Sequence, residues 1–298
     1  MDTEELDDKF GVEGEVGFAE LDGGLPFVMV SNKYAEVDIS LYGAQLTSFR
    51  PQGGLDVLWM SDQSAFEQGK AIRGGIPVCF PWFGPHETEK SFPQHGFARL
   101  MMWEVSDVKT LEKGECEVVL KLSSSAETKV FWPHEFVAEM TFVIGPKLRV
   151  SLKVTNTSNE ILSYTAALHS YFNLSGIENI TIEGLENTAY ENQLDGQRYI
   201  QEEKLLKISE AITRHYFDTE SDCLIHDPYF KRSIRIEKEG SKCSTVWNPG
   251  EVACAQMSDL PDDGYETFVC LETVNKINNI IQLQPGESHE TTAIIGID

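Results

Sequence analysis

Leu148, Val150, Leu152 and Val154 alternate with Arg149, Ser151 and Lys153, and this two-residue rhythm recurs along nearly the whole chain. Successive side chains of an extended strand point to opposite faces, so the pattern marks strands with one buried and one wetter face. Val37, Ile39 and Leu41 repeat it against Glu36, Asp38 and Ser40. Further strands are expected over 26–30, 116–123, 135–144, 161–169, 232–238, 243–248, 266–272, 279–284 and 289–296. Turn chemistry separates them, as at Asp22-Gly23-Gly24, Pro51-Gln52-Gly53-Gly54 and Ile144-Gly145-Pro146. No window sustains a 3.6-residue apolar repeat with caps at both ends; short helical turns are expected near 62–68 and 202–210. Many strands without crossover helices predict an all-β chain, built as a large antiparallel sandwich or barrel.

The chain has 298 residues, a length that one large β domain can reach. With no fixed-period repeat and no low-complexity linker, a single domain over 18–298 is expected. Residues 1–17 carry Asp2, Glu4, Glu5, Asp7 and Asp8 against a lone Lys9 and read as an acidic, frayed tail. A signal peptide needs a basic start and an apolar stretch, and a transit peptide needs arginine without acids, so neither is expected here. No apolar run approaches the roughly 20 residues that cross a bilayer. The formal net charge of −24 disfavours nucleic acid and anionic membranes as partners. It does not disfavour a small anion, because binding is decided by groups within about one Debye length, roughly 8 Å. The six cysteines are scattered with no C-x-x-C pair, as expected of reduced thiols in a cytoplasmic protein.

Residues 70–99 break the rhythm. They hold Pro77, Pro81, Pro85 and Pro93, Gly74, Gly75, Gly84 and Gly96, and an apolar set of Phe80, Trp82, Phe83, Phe92 and Phe97. A stiffened apolar loop of this length is either a functional element or a plug over one end of a sandwich. Arg73 and Arg99 flank it and could converge on one anion, or could be ordinary surface arginines. His95 lies near its end. His169 closes the 161–169 strand, on the face of Ser163, Thr165 and Ala167 rather than that of Leu162, Tyr164, Ala166 and Leu168. Either histidine is a structural residue or part of a cleft floor. Glu272 ends an apolar strand; it points into water, or it is desolvated by Phe268 and Cys270 and raised towards a general base's working range. Asp222 lies in an acidic stretch and reads by itself as a surface charge. There is no phosphate-binding glycine loop, no G-x-S-x-G elbow and no Cys/His cluster of zinc spacing.

Together these segments resemble a known family. Ala71-Ile72-Arg73-Gly74-Gly75-Ile76-Pro77-Val78-Cys79-Phe80-Pro81-Trp82-Phe83-Gly84, followed by His95-Gly96-Phe97-Ala98-Arg99, looks like the signature of the glucose-6-phosphate 1-epimerases. These are the hexose-6-phosphate branch of the aldose 1-epimerase (galactose mutarotase) superfamily. Leu168-His169-Ser170-Tyr171-Phe172-Asn173, Val246-Trp247-Asn248-Pro249-Gly250 and the run from Met257-Ser258-Asp259 to Glu272 also match, in the family's order. The resemblance runs from about residue 27 to the C-terminus.

It implies a galactose mutarotase-like β-supersandwich that needs no cofactor or metal and acts on a small sugar phosphate; a monomer is expected. It also implies Glu272 as general base on the anomeric hydroxyl and His169 as general acid on the ring oxygen. His95, Gln94 and Asp222 would bind the sugar, with Arg73 and Arg99 on the phosphate. After Asp222 the chain reads Cys223-Leu224-Ile225-His226, where the family usually has an arginine. Two other readings make different predictions. A free-aldose epimerase would not need the arginines, and an idle sugar-phosphate-binding module would bind without Glu272. A glycosidase would need a second, well-placed carboxylate.

Overall fold

A computed structural model describes residues 2–298. The expected all-β architecture is present, as antiparallel sheets of nine, eight, four and two strands among the described residues. The nine-stranded sheet runs Leu205–Leu206, Thr181–Glu183, Cys223–Asp227, Arg232–Glu239, Ser288–Ile297, Leu148–Asn156, Phe136–Ile144, Cys116–Ser123 and Glu104–Thr110. The eight-stranded sheet runs Gln197–Ile200, Ala189–Asn192, Ile212–Phe217, Cys243–Asn248, Phe268–Asn275, Ala166–Leu168 and Val78–Cys79, with Tyr171–Asn173 also paired to Phe268–Asn275. The four-stranded sheet, Val16–Glu20 to Gln45–Pro51, is a simple meander.

One continuous apolar core joins the sheets. Leu120, Phe142, Val150 and Ile295 of the nine-stranded sheet share it with Tyr216, Val246, Val269 and Leu271 of the eight-stranded sheet. Alternation then assigns every other side chain of the eight-stranded sheet to its outer face. Along Phe268–Asn275 that face carries Phe268, Cys270, Glu272 and Val274. Phe268 and Cys270 join an apolar cluster with Trp59 and Tyr171. Val274 joins another with Cys79, Phe83, Ala167 and Phe217. All eight residues of this strand are buried, so both of its faces are covered.

Three local expectations are corrected. Residues 3–10 are not frayed: Thr3–Phe10 is an α-helix whose N-cap Asp2 accepts the Glu4 N–H at 2.9 Å. Asp7 ties it to the neighbouring strand by accepting the Phe18 N–H at 3.1 Å, and Leu6, Phe10 and Val12 pack on the core. The acidic residues cap and anchor, which their charge alone did not reveal. Residues 62–68 form turns rather than a helix, and 202–210 contains the strand Leu205–Leu206. The single strand expected over 161–169 is split at Thr165. Leu162–Tyr164 pairs with Ile281–Leu283, while Ala166–Leu168 joins the eight-stranded sheet. The six cysteines are buried free thiols.

Candidate active site

The outer face of the eight-stranded sheet is the floor of a cavity of about 220 Å³. Register builds that floor: His215 pairs with Thr245, and Thr245 pairs with Glu272. The three therefore stand in one cross-strand row, with Thr213 and Trp247 beside them and Gln193 beyond. The roof comes from the Pro/Gly-rich segment, which contributes Phe83, Gly84, Pro85, Gln94, His95 and Arg99. Gly96 makes that roof possible. At φ +75° it passes so close to the Phe80 carbonyl that a Cβ would sit 2.0 Å from the oxygen. His95, beside it, is itself left-handed at φ +65°, a conformation uncommon outside glycine and concentrated at functional sites. Its backbone N–H donates to the Gly84 carbonyl at 2.7 Å, and its Nδ1 accepts the Gly84 N–H at 3.2 Å.

His169 and Glu272 meet here. Leu168 lies in the main core, so His169 faces the cavity side as the strand reading predicts. Its Nε2 stands 3.5 Å from Glu272 Oε1, and its ring stacks on Tyr171 at 5.0 Å. Both residues are buried, at 7% and 2% exposure. Glu272 is therefore the desolvated carboxylate of the two readings left open by the sequence. His169 Nδ1 and Glu272 Oε2 have no protein partner. Buried polar atoms are rarely left so, and both belong to side chains that line the cavity. Burial pushes the Glu272 carboxyl well above its usual range, and the Lys276 ammonium pulls it back in part. Burial and the positive charges of Arg99 and Arg73 bring His169 down to about 3. Burial, His169 and Arg99 likewise hold His95 low.

The two arginines are brought together at this cavity. Arg73 is anchored by Nε to Asp259 Oδ2 at 3.0 Å and by an η nitrogen to the Tyr171 hydroxyl at 2.9 Å. Arg99 donates to the Gln94 carbonyl at 2.8 Å and leaves its buried Nε without a partner. Gln94 lines the cavity and is exposed. Lys276 completes the cationic set, its ammonium 5.2 Å from the Phe83 ring centroid. Among the described residues no group of three His, Cys, Asp or Glu side chains could hold a metal ion.

Asp222 does not belong to this constellation. It is exposed, precedes a strand of the nine-stranded sheet, and its carboxylate lies 3.9 Å from Arg235. The residue that does face the cavity from this part of the chain is Thr213, and an arginine, Arg214, follows it. Thr213, His215, Gln193, Thr245 and Lys276 were not singled out from the sequence. The strand Ile212–Phe217, which carries Thr213 and His215, has Arg214 on its inward side and Phe217 on its outward side, so its sequence offers little polar contrast.

The family described as aldose 1-epimerase matches residues 26–296. The chain belongs to that family. Among its relatives, a Salmonella typhimurium protein provisionally named glucose-6-phosphate 1-epimerase is 34% identical over 250 residues, which are 84% of this chain and 83% of that one. A Cenchrus ciliaris protein of the same provisional name is 33% identical over 261 residues, covering 84% and 78%. The crystal structure of a provisionally named Salmonella typhimurium mutarotase superposes with a TM-score of 0.89 at 30% identity, covering 97% of this chain and 95% of that chain. The aldose 1-epimerase fold and the galactose mutarotase-like supersandwich are therefore one architecture here.

Proposed function

We propose that the protein interconverts the α and β anomers of an aldohexose 6-phosphate, with glucose 6-phosphate the first substrate to test. The observation that carries the reading is the 3.5 Å approach of His169 Nε2 to Glu272 Oε1 at the cavity floor. The hemiacetal carbon bears both the anomeric hydroxyl and the ring oxygen, so a proton acceptor and donor serving the two must themselves stand a few ångströms apart.

Glu272 takes the proton from O1–H as the C1–O5 bond breaks and C1=O1 forms. His169 delivers a proton to O5. Rotation about C1–C2 turns the other face of the aldehyde to O5, and closure returns each proton by the same path. The pair carries one proton in total throughout. Opening starts from carboxylate and imidazolium, whereas closing starts from carboxylic acid and neutral imidazole. Burial favours the second form, and Lys276 favours the carboxylate of the first. A general acid and base of this kind contribute about 10²–10⁴-fold each.

Arg73 and Arg99 are assigned to the phosphate, which suits guanidinium forks with free N–H groups at the cavity. His95 and Gln94 are assigned to the sugar, and Asp222 is left out of the assignment because it lies away from the cavity. The names of the 34% and 33% identical relatives support the phosphorylated substrate over a free aldose. Among the described residues Glu272 is the only carboxylate lining the cavity, which counts against a glycosidase working with a pair. The six buried free thiols support a reducing compartment, and we assign the protein to the cytoplasm as a monomer. Sedimentation and cell fractionation check those last two points.

Exchange NMR on glucose 6-phosphate and on glucose decides the main reading. Rapid exchange of the ester, absent with Glu272→Gln, is expected. Equal rates on both sugars would move the chain to the free-aldose epimerases. Binding without exchange would leave a sugar-phosphate-binding module.

A further inference from the structure

Four polar side chains, Gln193, Thr213, His215 and Thr245, occupy the outer face of the eight-stranded sheet beside Glu272. Around them the same face is apolar, with Phe217, Val274, Trp247 and Cys270. His215 and Thr245 are buried, Thr213 is half-buried and Gln193 is exposed at the rim; the two buried groups lose water on folding and regain little unless they are fully bonded or meet a ligand. His215 is buried at 4% exposure and uses both ring nitrogens. Nε2 lies 3.1 Å from Gln193 Oε1, and Nδ1 lies 2.8 Å from Thr245 Oγ1.

These contacts set the direction of every proton. A carbonyl oxygen on Nε2 requires that Nε2 carry hydrogen. Burial brings His215 down to about 3, so the ring is neutral near pH 7 and Nδ1 is a lone pair. Thr245 must then donate its hydroxyl proton to Nδ1. Its two oxygen lone pairs remain as acceptors, in a side chain that lines the cavity next to Glu272. The Gln193 amide NH₂ remains as a donor on the same wall.

We infer that the Gln193–His215–Thr245 chain reads the ring hydroxyls of the sugar, with Thr245 accepting from one hydroxyl and Gln193 donating to another. This inference rests on the anomerase reading given above. His215 is a positioning residue in this scheme, since it acts by orienting Thr245 and Gln193. The wall is neutral and directional, so it selects among epimers by hydroxyl placement. The arginines across the cavity recognise charge and cannot make that distinction.

The test is exchange NMR with wild type, Thr245→Val and His215→Phe on glucose 6-phosphate and its 2-, 3- and 4-deoxy analogues. In wild type, at least one deoxy analogue is expected to lose roughly 2- to 10-fold in kcat/KM, the range of one neutral hydrogen bond. Thr245→Val should lose a similar factor on the parent ester and show no further penalty on that same analogue. His215→Phe should weaken the same discrimination while leaving Thr245 in place. Deoxy penalties that persist unchanged in both variants would overturn the inference and reduce the chain to packing. Thr245→Val is nearly isosteric and carries the test alone if His215→Phe does not fold. Wild type inert on glucose 6-phosphate would defeat the underlying anomerase reading, and this inference with it.

Discussion

The two large sheets share one core yet obey different rules on their outer faces. Phe136–Ile144 in the nine-stranded sheet alternates buried and half-buried residues without exception, and its neighbour Leu148–Asn156 nearly does so. Outward residues there include Glu139, Thr141, Arg149 and Lys153, which meet water and form exposed ion pairs, as Lys153 does with Glu139 at 3.6 Å. Phe268–Asn275 in the eight-stranded sheet is buried at all eight positions. On the first face a charge is nearly free. On the second it is desolvated, so Glu272 is the anomaly that marks the chemistry. A polar residue is informative in proportion to what covers it.

The comparison can be broken most directly at Glu272. Glu272→Gln should cut anomer exchange by about 10²–10⁴-fold while leaving the urea midpoint equal or higher, since an uncompensated buried acid is removed. Exchange NMR and chemical denaturation on the same sample check the pair. A loss of both together would mean that the carboxyl holds the sheet rather than working on substrate.

The inverse result is expected on the inward face of the plain sheet. Phe142→Ala should cost about 3–5 kcal/mol of stability, with the rate per folded molecule unchanged. Between these lies Arg99→Ala. The loss of a charge-assisted contact of about 1.5–3 kcal/mol should raise KM for the phosphate ester roughly 10- to 100-fold, with a smaller change in exchange of free glucose through the Arg99 charge on His169. Equal effects on both sugars would remove Arg99 from the phosphate.

The covered face should also leave a mark on acid stability. His169 and His215 titrate near 6.5 when unfolded and at about 3 when folded. Above pH about 6.5 both states are neutral and the contribution is intact. As pH falls towards about 3 the unfolded chain gains protons that the folded one does not, and stability drops by about 1.4 kcal/mol per pH unit for each histidine. His215→Phe should lessen that slope by one histidine's share, measured as urea midpoints from about pH 7 to about pH 5. Glu272 acts in the opposite sense. Its raised carboxyl contributes stability that is full below about pH 4.5 and is lost as pH rises through the folded value, a loss absent from Glu272→Gln. The smallest effect belongs to the outer face of the nine-stranded sheet. Arg149→Ala, which breaks an exposed pair with Glu239 at 2.8 Å, should stay within about 1 kcal/mol in the same denaturation series.

Strands with a solvated outer face were the plainest to read from the chain, although Cys243–Asn248 of the covered sheet also matches its expected span. Leu148–Asn156, Phe136–Ile144 and Cys116–Ser123 alternate apolar with polar residues and match the expected spans to within one or two residues. Ile212–Phe217 was missed because its outward side is mixed, with Thr213, His215 and Phe217, which gives no polar contrast. Asp222 is expected at the sugar on the family resemblance alone, and the cavity takes Thr213 and His215 instead. Motif order located His169 and Glu272, because a family signature is a local feature of the sequence; Glu272 does not end its strand as expected but lies inside Phe268–Asn275. Gln193, His215 and Thr245 become a unit only through cross-strand register between segments distant in sequence.

The sequence by itself determined which side of each clear strand points inward, since opposite projection of successive side chains is a property of the extended backbone alone. It determined the all-β class for the same reason, and the presence of a stiff apolar segment at 70–99. Only the tertiary structure decided that this segment roofs one outer face and leaves the other in water. That choice depends on contacts between residues far apart in the chain. It makes Glu272, expected at a strand end, a buried mid-strand acid facing His169.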